Sequence, residues 1–355
     1  MWSGQIGVQN GSDPVSVDGR GVRTPASGDR PIALWLLACC AVVFGIMLIG
    51  GITRLTESGL SITEWRPVAG VVPPFSEADW QREFNLYQQI PEYQQFNRGM
   101  TLAEFKKIYF WEYLHRLLGR LIGVVFAVPF LIFLLRGRIR RPLLPHLVII
   151  FVLGGLQGAL GWFMVQSGLS ERTDVSQYRL AAHFLAALAI YSYMFWVALT
   201  LLRQGAVDAA ARRLRPHLLV TAGLLVATLA FGAFVAGLNG GLVYNTFPLM
   251  GEGLIPGDAF GSAASPFDDP VTAQFVHRWL AMAAVVSVIV LWLRRASALP
   301  AAARAINFLA GMALLQAGLG IGTLLLLVPI PLAVAHQAGA VVLWTLTLWT
   351  LHTTR

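Results

Sequence analysis

The chain is short of charge. Only 12% of its 355 residues are Asp, Glu, Lys or Arg, where a soluble domain usually carries about 25%. With 56% hydrophobic residues and a mean hydropathy of +0.64, that shortage excludes a soluble globular protein and a chain disordered throughout. Cysteine is scarce too. Cys39 and Cys40 are the only two, adjacent in an apolar run, and they are expected to pack as small hydrophobes. There is no CxxC and no Cys/His zinc spacing. Basic runs interleaved with aromatics are missing, so the net charge of +8 does not point to nucleic acid. In a membrane protein an excess of Lys and Arg reports orientation instead. Residues 1–30 lack an apolar stretch and are rich in Gly, Ser and Asp. They read as a disordered cytoplasmic tail rather than a signal peptide.

What is present is long apolar runs. A bilayer core of about 30 Å needs roughly 20 apolar residues per helix, and eight segments qualify: 32–52, 112–135, 143–165, 180–202, 217–237, 273–293, 305–327 and 332–352. Pro329 and Pro331 force a break between the last two. One set of loops holds Arg136, Arg138, Arg140 and Arg141, then Arg203, Arg212, Arg213 and Arg215, then Arg294, Arg295 and Arg304. Loop 238–274 has Glu252, Asp258, Asp268 and Asp269 and no Lys or Arg. The positive-inside rule then puts both termini in the cytoplasm and loops 53–111, 166–179 and 238–274 outside.

The sequence also repeats. Glu112-Tyr-Leu-His115-Arg116 returns as Gln274-Phe-Val-His277-Arg278, 162 residues later. Leu156-Gln157-Gly-Ala-Leu160-Gly161 returns as Leu315-Gln316-Ala-Gly-Leu319-Gly320, and Leu180-Ala-Ala-His183 as Leu332-Ala-Val-Ala-His336. Three matches in one order predict two tandem, pseudo-symmetric four-helix bundles, parallel because each unit crosses an even number of times. The expected fold is therefore all-α and integral to the membrane. Residues 31–203 form the N-terminal bundle with its long outer loop, 204–216 a cytoplasmic linker, and 217–355 the C-terminal bundle.

Seven histidines are present. His146, His217 and His352 fall at cytoplasmic helix ends. His115, His183, His277 and His336 fall one on each even-numbered span, four to six residues from its outer end, or roughly 6–9 Å deep. A single such residue is usually a hydrogen-bonded core histidine. Four at matched repeat positions are another matter, since ionisable residues within spans are costly. Two facing imidazoles per bundle suit a haem iron, whereas zinc would want three or four ligands at one centre. Arg116 and Arg278 follow their histidines, and Arg120 lies a turn beyond Arg116. They could meet haem propionates or snorkel to lipid headgroups. The repeats differ at one place: Glu112, three residues before His115, is replaced by Gln274 before His277. On a helix i and i+3 share a face, so one haem position has a proton acceptor beside it and the other a neutral amide. Two equal electron carriers would not need that difference, although a Glu capping an interfacial helix start would also account for it.

The strings Gly50-Gly-Ile-Thr53-Arg54-Leu-Thr-Glu57, Trp111-Glu112-Tyr-Leu-His115-Arg116-Leu-Leu-Gly119-Arg120, Tyr178-Arg179-Leu-Ala-Ala-His183, Tyr244-Asn245-Thr246-Phe247-Pro248 and Ala335-His336-Gln337-Ala-Gly339 resemble the haem A synthase family along almost the whole chain after residue 30. Loop 53–111 contains no Cys, so the resemblance is to the subclass without cysteines in the first outer loop. It implies that His115 and His183 flank the substrate haem O and that His277 and His336 ligate a resident haem B. It further implies that Glu112 serves the oxidation of a ring methyl to a formyl group, giving haem A for cytochrome oxidase. The implied setting is a bacterial inner membrane. The implied partners are the farnesylating enzyme that makes haem O, oxidase assembly factors and, as a possibility, a second copy of the chain. A non-catalytic di-haem b-type cytochrome shares the four histidines but leaves Glu112 unexplained. A transporter would more often place its site at the midplane.

Overall fold

The computed structural model describes residues 29–66, 69–169, 172–202, 212–297 and 300–354. Most of the expected tail, and of the linker at 204–216, lies outside the described residues. The described chain is helical, with eight helices long and apolar enough to cross a membrane. In hydrocarbon each backbone N–H and C=O must be satisfied within the segment, and a helix does this locally.

The helices in chain order are α1 Asp29–Leu55, α2 Glu77–Tyr87, α3 Pro91–Gln95, α4 Leu102–Leu135, α5 Leu144–Leu169, α6 Gln177–Leu202, α7 Arg215–Gly237, the single turn α8 Ser265–Asp268, α9 Pro270–Leu293, α10 Pro300–Leu325 and α11 Ile330–Thr353. The eight long ones match the eight expected spans. The largest departure is α4, which starts ten residues before the expected 112. Its N-terminus is set by a capping box, with Thr101 Oγ1 accepting from the Glu104 amide and the Glu104 carboxylate accepting from the Thr101 amide. At about 1.5 Å per residue its 34 residues reach some 50 Å, well beyond a bilayer core.

Pro129 lies inside α4. A proline has no N–H to give to the carbonyl four residues back, here that of Val125. Trp35 of α1 fills the gap, its indole Nε1 donating to Val125 O at 2.9 Å, with its ring 4.8 Å from that of Phe126.

Helices α1, α4, α5 and α6 contact one another in a closed ring, and so do α7, α9, α10 and α11. The two rings meet where α1 and α6 pack on α7 and α11. The first ring encloses Leu36, Cys39, Cys40, Phe126 and Met194, so both cysteines are buried, unpaired hydrophobes as expected. The second encloses Leu218, Val288, Leu309 and Leu348. Away from these seams α5 leaves Ile149, Phe151, Val152 and Leu156 exposed, as a lipid-facing surface does.

Loop 53–111 has a core of its own, built from Leu60, Phe84, Tyr87, Ile90, Phe105 and Tyr109, with Val175 from the next outer loop. It is a folded cap on the N-terminal end of α4. Asp268 and Asp269, two acids the sequence leaves unexplained, both find structural work. Asp268 Oδ1 accepts from Gln177 Nε2 at 3.0 Å and Tyr178 Oη at 2.7 Å, tying α6 to α8. Asp269 caps α9 by accepting from the Thr272 amide at 2.7 Å.

Candidate functional site: two histidine pairs and a buried acid

Each of the four histidines rests on a glycine of a neighbouring helix. A Cβ added at Gly50 of α1 would sit 2.9 Å from His115 Cε1, and one at Gly161 of α5 2.9 Å from His183 Cε1. In the second ring the distances are 3.1 Å from Gly232 of α7 to His277 and 2.7 Å from Gly320 of α10 to His336. No larger residue fits these four places without moving the ring. All four histidines are half-buried.

The backs of the rings are held as well. His277 Nδ1 lies 2.9 Å from Thr228 O. A carbonyl only accepts, so Nδ1 carries the proton and Nε2 keeps its lone pair, the tautomer an iron ligand needs. For His183 and His336 a glutamine stands behind the ring. Gln157 Nε2 donates to His183 O at 2.8 Å and lies 3.1 Å from its Nδ1. Gln316 does the same to His336 at 2.9 and 3.1 Å. The Oε1 atoms of both glutamines are buried without a partner. Turned toward the ring, each would accept the Nδ1 proton that an iron-bound imidazole carries. For His115 the backbone of Ile46, four residues before Gly50 as Thr228 is before Gly232, is the hydrogen-bonding neighbour of the ring.

The His277 and His336 ring centres are 6.5 Å apart with planes at 88°. Two imidazole–metal bonds of about 2 Å each, added to the radii of two five-membered rings, come to roughly that separation. His115 and His183 are close enough to interact electrostatically. Among the described residues no group of three or more His, Cys, Asp or Glu could hold a metal ion. The donor sets are thus two imidazoles each, which fits a haem iron whose other four ligands come from the porphyrin.

Glu112 is 2% exposed. Its Oε2 accepts from Ser61 Oγ at 2.7 Å and from the Ile62 amide at 2.8 Å. Its Oε1 accepts from Arg116 Nε at 3.0 Å and Nη2 at 2.6 Å. All four contacts are donors, and an ionised carboxylate offers only acceptors, so the pocket is complementary to the anion. Arg116 also donates to Ile62 O at 2.8 Å. In the second ring Gln274 Nε2 donates to Tyr244 O at 3.1 Å, and Arg278 donates to the carbonyls of Tyr244, Thr246 and Leu249. In both halves the arginine clamps the preceding loop onto the helix that bears the histidine.

The structure thus brings together His115 with His183, His277 with His336, and Glu112 with Arg116. Arg120 donates to Arg66 O at 3.1 Å and, with Arg116, Arg66 and Tyr113, lines a cleft of about 210 Å³ under loop 53–111. Arg278 is engaged by loop carbonyls rather than turned to open space. Ser61, Ile62 and the four seat glycines were not singled out from the sequence. Gly161 and Gly320 stood inside the repeated strings, as did Gln157 and Gln316, and their return at one offset was the available signal.

Residues 33–348 match the model of a family described as "Cytochrome oxidase assembly protein". The chain is 53% identical over 343 residues to a protein of Rhodospirillum centenum named "Heme A synthase", covering 94% of this chain and 91% of the relative. Proteins of the same name from Paramagnetospirillum magneticum (50% identical; 91% of this chain, 93% of the relative) and Nitrosospira multiformis (49%; 92% and 94%) are also similar.

Proposed function

The chain belongs to the cytochrome oxidase assembly protein family, and from that membership we propose that it is a haem A synthase, which oxidises a ring methyl of haem O to a formyl group. His115 and His183 would flank the substrate haem O, and His277 and His336 would hold a resident haem B. Bound there, haem B supplies one-electron redox chemistry that takes up electrons leaving the substrate. Glu112 would be the acid that serves the substrate half, its carboxylate held as an anion by Ser61, Ile62 and Arg116. Arg116 and Arg120 line the outer cleft, where substrate propionates would find cationic partners. Arg278 supports the haem B site indirectly, by fixing the loop over it.

The observation that carries this reading is the difference between the halves. The histidine seats are alike, yet one half has a buried, donor-saturated carboxylate and the other the amide of Gln274. The two rings read as tandem bundles, parallel in the membrane, with both termini cytoplasmic and the histidines toward the periplasmic face of a bacterial inner membrane. The arginines at 136, 138, 140 and 141 and at 294, 295 and 304 support that orientation. Haem O would come from the farnesylating synthase, haem A would pass to oxidase assembly factors, and a homo-oligomer is compatible with the exposed apolar faces.

The test is Glu112→Gln. Expected after purification and acid–acetone extraction are haem B and haem O but no haem A. Normal haem A output would refute the assignment and favour the non-catalytic di-haem cytochrome, for which this substitution is harmless.

A further inference from the structure

Gln337 follows His336 directly on α11, yet its side chain leaves its own bundle. Nε2 donates to Met47 O of α1 at 2.8 Å. The rest of the amide fills the space that Gly51 leaves open: a Cβ there would collide with Gln337 Oε1 and lie 2.7 Å from Cδ. The residue before Gly51 is Gly50, the seat of His115. Two adjacent glycines of α1 therefore receive an imidazole from the first bundle and an amide from the His336 turn of the second.

The matching place in the other half is built differently. Gly232, which seats His277, is followed by Ala233, and His183 by Phe184, a part-buried ring packed against both cores. Among the described residues, the other hydrogen bonds between the bundles lie away from the four paired histidines. Arg54–Asn239 and Gln177–Asp268 are toward the outer ends, and Tyr191–Thr345 and Ser192–Trp344 are two turns or more deeper.

We propose that Gln337 is a positioning residue that couples the two haem sites, locking the α1 segment that seats His115 to the turn that carries His336. Filling the C-terminal site then steadies His336 and its neighbour, and through Met47–Gly51 it steadies the His115 seat, so haem binds more tightly in the N-terminal site. The coupling is reciprocal, as any linkage between binding sites must be. It rests on the haem reading above.

The test uses the full chain in detergent, titrated with haem B and followed by the optical and EPR signatures of bis-histidine iron. In the otherwise native protein, His277→Ala should weaken the N-terminal site about tenfold, within the usual range of such couplings. Gln337→Met keeps the length of the side chain and removes its donor. With it, His277→Ala should leave N-terminal affinity unchanged, because the link is already cut, and the C-terminal haem of the Gln337→Met single variant should keep its native signature. Gly51→Ala, which evicts the amide without altering it, should do the same. If N-terminal affinity in the Gln337→Met protein still falls tenfold on His277→Ala, or if Gln337→Met lowers affinity at one site and not at the other, coupling through Gln337 is refuted. If the unmutated protein shows no bis-histidine signature at all, the haem reading itself fails.

Discussion

Gly320→Ala isolates what the histidine seats do. The added methyl would lie 2.7 Å from His336 Cε1 and 3.3 Å from Nδ1. Carbon atoms in good contact are about 3.5–4.0 Å apart, so the ring must withdraw by roughly 0.8–1.3 Å. Backbone on α10 cannot yield as a flexible side chain would, and His336 is further held from behind by Gln316. A displacement near 1 Å costs on the order of a hundredfold where geometry is demanding, which corresponds to about 2.8 kcal/mol of ligation. Two alanine controls sit on the same helix. At Gly318 a Cβ meets nothing within 4 Å, and at Gly322 it makes an ordinary 3.4 Å contact with Leu332. Replacing an unhindered helical glycine by alanine usually stabilises by up to about 1 kcal/mol. The assay is the haem content of the purified protein together with the low-spin EPR signal of the C-terminal site. Gly320→Ala is expected to lose that signal while Gly318→Ala and Gly322→Ala retain it. Retention in all three would show that the glycine does not set the ligand position and would refute the seat argument.

Three further outcomes follow from the contacts described. Trp35→Phe leaves Val125 O without its donor inside the apolar ring and should lower thermal stability by about 1–3 kcal/mol, with both haem signatures unchanged; an unaltered unfolding midpoint would contradict it. Glu92, buried in the outer cap with Oε2 unpartnered, has its carboxyl pushed up to about 8, first by burial, then by Glu112, Glu57 and Asp174, against the opposing Arg54. The folded cap then binds a proton that the unfolded chain releases near the ordinary value of 4.5. Its stabilising effect is complete below that value and lost as pH rises through about 8, so Glu92→Gln should flatten the fall of the unfolding midpoint between pH 5 and 9. Asp269→Ala removes the cap of α9 and should cost about 1 kcal/mol, seen as a lower denaturant midpoint.

The spans were legible because hydropathy is a local property and the bilayer fixes the length of each run. The histidine pairs were legible because the repeat printed them twice. The N-terminal extent of α4 was not, since residues 102–111 are too polar to count as a span, and only the Thr101–Glu104 box marks where the helix starts. The partners of Glu112 and Arg116 were beyond reach for a different reason. Ser61 and Ile62 are fifty or more residues away in sequence, and no short-range pattern reports a loop folding back onto a helix. Arg278 shows the same limit: its place after His277 suggested a propionate, while its donors go to carbonyls about thirty residues upstream. Asp268 had no reading until α6 came beside it.

The pairing of Trp35 with the carbonyl freed by Pro129 also bears on how the chain is assembled. Helix α4 carries an exposed backbone oxygen as it enters lipid, and α1 a bare indole N–H, and neither can be satisfied by water there. Sliding α4 by one turn along α1 would separate both groups from their partner at once. The proline therefore acts as a key that admits one alignment of the two helices, and α4 completes its own hydrogen bonding only after finding a helix made before it.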